Sequence, residues 1–309
     1  MSSSPDLQDA PPADAESAGA RPAESGTTAT ATATTATTTD GRTVAYAEYG
    51  AADGTPVVFL HGTPGSHVLG RLFDDVARER DCRIVAPARP GYGDSDPAPD
   101  ATVADIADDL VAVLDHAGVE RAPVVGFSGG AAVAIALAGR HPNRVEAVHS
   151  VSGVAPPSLR TEQPAVQRLL ETLATRTPRL LSGLVRGQSW VADRGSPSVV
   201  VSQYTDSEGA AALSEAQAET FRRDFVVGVG PQRTGFVTET RRFGHTWPVQ
   251  PAELSVPLHC WHGDRDANVP VADARRVADA ADGVLTVRDA DHATALVECR
   301  AALLDACLE

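Results

Sequence analysis

The sequence predicts an α/β protein with a mostly parallel central sheet flanked by helices, and three observations predict it. Short apolar runs alternate with segments of helical periodicity from Val57 to Val151. A stretch without strand patterning, residues 155–254, then interrupts the alternation before it resumes at Pro257. A serine stands between a predicted strand and a predicted helix in Gly126-Phe127-Ser128-Gly129-Gly130.

Residues 1–26 are rich in Ser, Ala, Pro, Asp and Glu without periodicity, so they are expected to form a disordered tail. Asp40-Gly41, between two β-leaning runs, predicts a hairpin turn that makes the end of the Thr/Ala-rich stretch an edge strand. Strand Val57–His61, a helix from Leu69 to Arg80 and strand Arg83–Pro87 follow, and the chain then enters the loop Arg89-Pro90-Gly91-Tyr92-Gly93. Val103, Ile106, Leu110, Val113 and Leu114 recur at helical spacing. Strand Ala122–Phe127, helix Gly130–Arg140 and strand Val145–Val151 complete the first half. Residues 155–254 carry amphipathic helical patterns such as Val166, Leu169, Leu170 and Leu173 between Pro and Gly breaks, and are expected to form a helical cap. Strand and helix return at Pro257–Trp261, Val271–Ala281, Val284–Val287 and Thr294–Leu308. The expected core is therefore 27–154 with 255–309, and the cap interrupts one sheet rather than forming a second independent domain.

Composition narrows the function. Forty-two per cent hydrophobic residues suffice for a sizeable aliphatic core. A net charge of −15, with all 26 basic residues arginine and no basic run, argues against a nucleic-acid partner. No run reaches ~18 apolar residues, and the N-terminus lacks the basic start and apolar core of a secretory signal, so a cytoplasmic protein with no membrane partner is expected. Cys82, Cys260, Cys299 and Cys307 lack metal-knuckle spacing and read as buried free thiols. In His259-Cys260-Trp261-His262, strand alternation turns His259 and Cys260 to opposite faces, which disfavours a metal site.

Ser128 is the candidate nucleophile. A serine at such a turn is held in a strained backbone that projects its hydroxyl above the sheet, and the glycines leave room where a β-carbon would collide. The hydroxyl needs a base and an orienting acid. Among nine histidines, His292 is placed for the base, in a short loop between the last strand and the last helix. For the acid, Asp264 and Asp266 compete in the loop after the Leu258–His262 strand; Asp266 lies deeper, before the helix announced by Pro270. The loop after Val145–Val151 offers only Ser152 and Gly153. Oxyanion donors are expected from the backbone N–H of Gly129 and of Thr63, since Pro64 has none. His61 is expected to brace that loop rather than move protons.

These motifs together resemble the α/β-hydrolase superfamily, and within it the capped serine hydrolases of the esterase and proline-iminopeptidase-like kind. The resemblance covers about residues 36–308. It rests on His61-Gly62-Thr63-Pro64-Gly65, Arg89-Pro90-Gly91-Tyr92-Gly93-Asp94-Ser95-Asp96, the Ser128 turn, His262-Gly263-Asp264-Arg265-Asp266-Ala267-Asn268-Val269-Pro270 and Asp291-His292, all in the family's chain order. It implies an α/β-hydrolase fold with Ser128 as nucleophile, Asp266 as acid, His292 as base, and Thr63 and Gly129 in the oxyanion hole. The chain departs in having Ala88 where relatives often have Asp, which questions how the Arg89 loop is braced, and Asp291 where they have Gly, which sets an anion beside His292. Serine at 128 argues against the relatives that use an aspartate nucleophile.

The expected function is a serine hydrolase acting on a small carboxylic ester, with no cofactor and no metal; a small-molecule substrate is the only partner implied. Iminopeptidase or amidase, carbon–carbon bond hydrolase and acyltransferase are alternatives on the same triad, and a catalytically silent binding protein is the alternative from another class. Phe127, Leu184, Trp190, Phe225 and Trp247 are candidates to line an apolar cleft or to pack cap against core. An aminopeptidase would need a cap anion from among Glu162, Glu171, Asp206, Glu208, Glu215 and Glu219.

Overall fold

The computed structural model describes residues 33–161, 163–230 and 232–309. The expected tail 1–26 and the first residues of the expected core lie outside that range. Eight strands form one sheet in the order β1-β2-β4-β3-β5-β6-β7-β8. They are β1 (Thr34–Thr37), β2 (Thr43–Gly50), β3 (Thr55–Leu60), β4 (Cys82–Pro87), β5 (Ala122–Phe127), β6 (Val145–Val151), β7 (Leu258–Gly263) and β8 (Val284–Arg288). β2 pairs antiparallel with β1 and β4, and every other pairing is parallel. The β1–β2 hairpin closes through Thr38 N–H to Arg42 O at 2.8 Å, with Gly41 at φ +86°, a conformation that favours glycine.

The parallel strands are linked by helices on both faces, which is why they read as unbroken apolar runs: all six residues of β5 are buried. A 3-10 stretch His67–Phe73 and α1 (Asp74–Glu79) join β3 to β4. The single helix expected from Leu69 to Arg80 is thus two pieces, the first wound more tightly where Gly70 passes Ala86 and Tyr49. α2 (Val103–His116) is opened by a Thr102–Asp105 capping box, and α3 (Gly130–Arg140) leaves the β5 turn. α10 (Val271–Ala280) and α11 (His292–Cys307) close the chain. α2, α3 and α10 bury one face of the sheet, while α1 and α11 bury the other. Cys260 enters the first core and Trp261 the second, as strand alternation requires. All four cysteines are buried free thiols.

Between β6 and β7 the described residues form helices and no strand: α4 (Ala165–Arg176), α5 (Pro178–Arg194), α6 (Ser198–Val201), α7 (Ser207–Ala212), α8 (Glu215–Val229) and α9 (Thr234–Phe243). Leu181, Val185, Phe225, Val229 and Phe236 give this segment an apolar cluster of its own, into which Tyr92 of the Arg89 loop inserts. No described helix is long and apolar enough to cross a membrane.

α11 begins two residues before the apolar periodicity suggested. Asp291 accepts hydrogen bonds from the Thr294 N–H at 2.9 Å and hydroxyl at 2.7 Å, capping the helix so that His292 is its first residue and not part of a loop.

At Gly130, an added β-carbon would meet the Leu60 carbonyl oxygen and lie 2.7 Å from the His61 carbonyl oxygen. Gly130→Ala should therefore cost about 1–3 kcal/mol by overpacking against backbone that cannot yield. Urea unfolding is expected to show a lower midpoint at unchanged slope; an unchanged midpoint would contradict the close packing of α3 on β3.

Candidate active site

The turn from β5 into α3 carries Ser128 with φ +52°, in the left-handed region that a residue with a β-carbon rarely adopts. Hydrogen bonds over-determine it: Ser128 N–H donates to Val151 O at 2.9 Å, and its carbonyl accepts from Ala131 and Val154 N–H at 3.2 and 3.1 Å. A β-carbon at Gly126 would lie 2.6 Å from the Ala131 backbone, and one at Gly129 would strike the Thr63 hydroxyl. The turn therefore accepts glycine on both sides of Ser128, and the Thr63 loop packs directly against Gly129.

Asp266 sits in the β7–α10 loop. One carboxylate oxygen accepts from Asn268 N–H at 2.8 Å and Val269 N–H at 2.9 Å, and the other faces His292 Nδ1 at 2.7 Å. Burial pushes its pKa up, but the attraction and hydrogen bond of His292, the nearby His262 and the Val269 N–H outweigh it and hold the carboxyl below its usual value. An ionised Asp266 makes Nδ1 the protonated nitrogen of His292 and leaves the Nε2 lone pair free. Of the two carboxylates weighed from the sequence, Asp264 is exposed, and the ion pair of His292 is with Asp266. Phe127 holds the imidazole from one side, with ring centroids 5.0 Å apart, and Tyr204 stacks at 6.1 Å.

Thr63, Ser128, Gly129 and His292 line one cavity of about 350 Å³. Ser128 and His292 face it without a hydrogen bond to each other. Among the described residues, neither the Thr63 N–H nor the Gly129 N–H has a protein acceptor. The rest of the lining is mixed: Val154, Leu170, Phe236, Phe243 and Val269 are apolar, while Arg160, Gln167, Glu171, Gln203 and Asn268 are polar. Of the two alternatives the sequence left for Phe127, Leu184, Trp190, Phe225 and Trp247, cleft lining or packing, none of the five lines the cavity. Leu184 and Trp190 are 55% and 60% exposed on α5, Phe225 and Trp247 are buried in other clusters, and Phe127 lies behind His292. Of the acids considered for an amine site, Glu171 alone lines the cavity, paired with Arg160 at 3.3 Å. Asp206 and Glu208 pair with Arg265, Glu219 pairs with Arg222, Glu215 is exposed, and Glu162 lies outside the described residues.

His61 is fully buried. Its Nδ1 donates to Gly62 O at 2.7 Å and its Nε2 accepts from Arg89 N–H at 3.1 Å. Burial, then the Arg89 charge, pushes its pKa well down, so it braces the loop as a neutral ring.

Sequence reasoning missed two buried carboxylates from the helical segment. Glu239 of α9 pairs with Arg89 Nε at 2.5 Å, and its second oxygen accepts from the Thr63 and Tyr92 hydroxyls at 2.7 Å each. This contact braces the Arg89 loop, whose preceding residue, Ala88, has no side-chain acceptor to offer. Asp224 of α8 accepts from Ser66 N–H at 2.7 Å and Ser66 Oγ at 2.9 Å. Each acid lies within a helix that carries other charged residues at partly exposed positions, so the available signal was position on the inward stripe. Asp291, the anion beside His292, turns its carboxylate to the α11 cap and to Asp206 N–H at 3.0 Å.

Comparison with known proteins bears on the fold. A family model described as alpha/beta hydrolase fold matches residues 55–195. The chain is 32% identical over 113 residues to the dihydrolipoyllysine-residue acetyltransferase component of the acetoin cleaving system of Pseudomonas putida, covering 36% of this chain and 30% of that one. It is 36% identical over 110 residues to the proline iminopeptidase of Neisseria gonorrhoeae, covering 33% and 34%. The matched stretch thus spans about a third of the length of these curated relatives. In fold it is similar to the enol-lactonase of Burkholderia xenovorans LB400, with a TM-score of 0.70 at 18% identity over 89% of this chain and all of that one.

Burial pushes the Asp224 carboxyl up to about 7, against the Ser66 hydrogen bonds that favour its ionised form. Its folded value is raised, so its contribution to stability is full below the ordinary carboxylate value and is lost as pH rises through about 7. Asp224→Asn keeps an acceptor for Ser66 and removes the titration. The variant should gain on wild type in urea midpoint between pH 5 and pH 8; parallel pH profiles for the two proteins would show that Asp224 carries no raised pKa.

Proposed function

We propose that this chain, an α/β-hydrolase by fold and by family match, is a serine hydrolase that cleaves a small carboxylic ester through an acyl-enzyme. The observation that carries the reading is the 2.7 Å contact between Asp266 and His292 Nδ1 at the wall of the cavity that Ser128 enters. His292 Nε2 takes the Ser128 proton as Oγ attacks the ester carbonyl. Asp266 holds the imidazole tautomer and stabilises the imidazolium that forms. The N–H groups of Thr63 and Gly129 receive the oxyanion, and imidazolium returns its proton to the departing alkoxide. Water activated by the same nitrogen then releases the acid and regenerates Ser128.

The helical segment between β6 and β7 acts as the cap. A cavity of about 350 Å³ with a mixed wall suits a short acyl group and a polar alcohol portion better than a long chain. Iminopeptidase activity is the second reading, favoured by Glu171 on the cavity wall. Its pairing with Arg160 leaves it less free to hold an ammonium group, which ranks ester cleavage first. Four free buried thiols accord with a reducing, cytoplasmic setting.

Intact-mass analysis after fluorophosphonate treatment should give one adduct, mapped to Ser128 and absent from Ser128→Ala. Absence of the adduct from folded wild type would leave the binding-protein reading in its place. Asp266→Asn should lower kcat on a short p-nitrophenyl ester by about 10⁴-fold, because the amide stabilises the wrong imidazole tautomer. A loss of less than tenfold would remove Asp266 from the triad. Within an ester series, kcat/KM should peak at short acyl chains; a peak at long chains would contradict the substrate class drawn from the cavity.

A further inference from the structure

We infer that Glu239, carried by α9, is a positioning residue for the oxyanion hole and acts through Thr63; the inference rests on the serine-hydrolase reading. Thr63 is pinned by its side chain. Its hydroxyl donates to Glu239 Oε2 at 2.7 Å and accepts from the Arg89 guanidinium at 3.1 Å. With that hydrogen committed to Glu239, the donor that Thr63 offers to the cavity is its backbone N–H. A β-carbon at Gly129 would collide with this same hydroxyl, so the two oxyanion donors are in direct packing contact and their separation follows where the Thr63 side chain is held.

The guanidinium extends the hold along the loop. Arg89 donates to the carbonyls of His61 and Gly62, the latter at 3.0 Å, as well as to Thr63 Oγ1, so three consecutive residues hang on one planar group. Glu239 binds that group with both oxygens, at 2.5 and 2.8 Å. Glu239 and Arg89 are 1% and 0% exposed, so neither has water to substitute for its partner. Tyr92 fills a third position on the carboxylate, donating to Oε2 at 2.7 Å. Oε2 therefore gathers three donors, and the carboxylate's place is set before substrate arrives. Because Glu239 belongs to the helical segment while Thr63 follows β3, the arrangement makes the oxyanion loop depend on how that segment is seated on the core.

A preorganised donor acts only if it lies where the negative charge develops, and losing one costs about 10²–10³-fold in kcat. Glu239→Gln displaces the Thr63 donor without deleting it. We expect kcat to fall about tenfold to a hundredfold on a short ester with KM changed less than threefold. Thr63→Val, which keeps the N–H and removes the tether, should show a similar loss, and Thr63→Ser should stay within about threefold of wild type.

The decisive measurement is the double-mutant cycle on kcat, run with melting temperatures and fluorophosphonate labelling of every variant. If Glu239 works through Thr63, the double variant Glu239→Gln/Thr63→Val is no worse than the poorer single variant by more than about threefold. Multiplicative losses, a loss carried mainly by KM, or an unaltered kcat in Glu239→Gln overturns the inference while labelling of wild-type Ser128 leaves the hydrolase reading intact. Failure of wild type to label overturns both, since no oxyanion hole then exists to be positioned. Should Glu239→Gln not fold, Thr63→Val against Thr63→Ser decides alone: equal activity of the two removes the hydroxyl tether from the mechanism.

Discussion

A buried guanidinium organises this molecule. Arg89 is fully enclosed, and an enclosed arginine is tolerable only when its N–H groups all find acceptors and its charge finds a counter-ion. The acceptors come from two places far apart in sequence: the backbone of the loop after β3, and Glu239 of α9. Burial disfavours the charge, and the attraction of Glu239 outweighs it, so the arginine is held more firmly protonated than in water. Breaking such a pair by removing one partner typically costs about 3–5 kcal/mol, because the other charge is left stranded. The pair ties α9 to the loop after β3 at a defined distance and direction.

That tie matters because the site is shared. The elbow serine and the Asp266–His292 pair come from the strand ends of the sheet, whereas Tyr204, Phe236, Phe243 and Glu171 of the same cavity come from the helical segment or its connections. Asp224 repeats the device at the far end of the β3 loop, receiving Ser66 from α8. Two buried acids on neighbouring helices therefore clamp one loop at Thr63 and at Ser66. Polar contacts suit this task better than apolar ones, since a hydrogen bond has a preferred distance and direction while an apolar surface can slide.

Close backbone packing supplies the other constraint. Gly126, Gly129 and Gly130 each stand where a β-carbon would meet backbone or the Thr63 side chain, so the elbow, α3 and the β3 loop approach as near as atoms allow. The positive φ of Ser128 is the local expense of that approach, held by the Val151, Ala131 and Val154 hydrogen bonds around it.

The sheet and its helices were legible in the sequence because their signals are local. An apolar run such as Val124-Val125 declares a buried strand, and the spacing of Ile106, Leu110 and Val113 declares a helix face, whatever lies elsewhere. The Ser128 turn was legible for the same reason, as was the order of Ser128, Asp266 and His292 along the chain. A capping residue shifted the start of α11, since Asp291 closes the helix through a side chain that apolar periodicity does not register. The cavity wall and the buried acids belonged to tertiary structure alone. Leu184 and Trp190 have the composition of pocket residues yet face outward, and Glu239 and Asp224 have the composition of surface residues yet face inward. Helical periodicity states which residues share a face; which face meets the core is decided by the docking of helices that are distant in sequence, and only that docking brings Glu239 to Arg89.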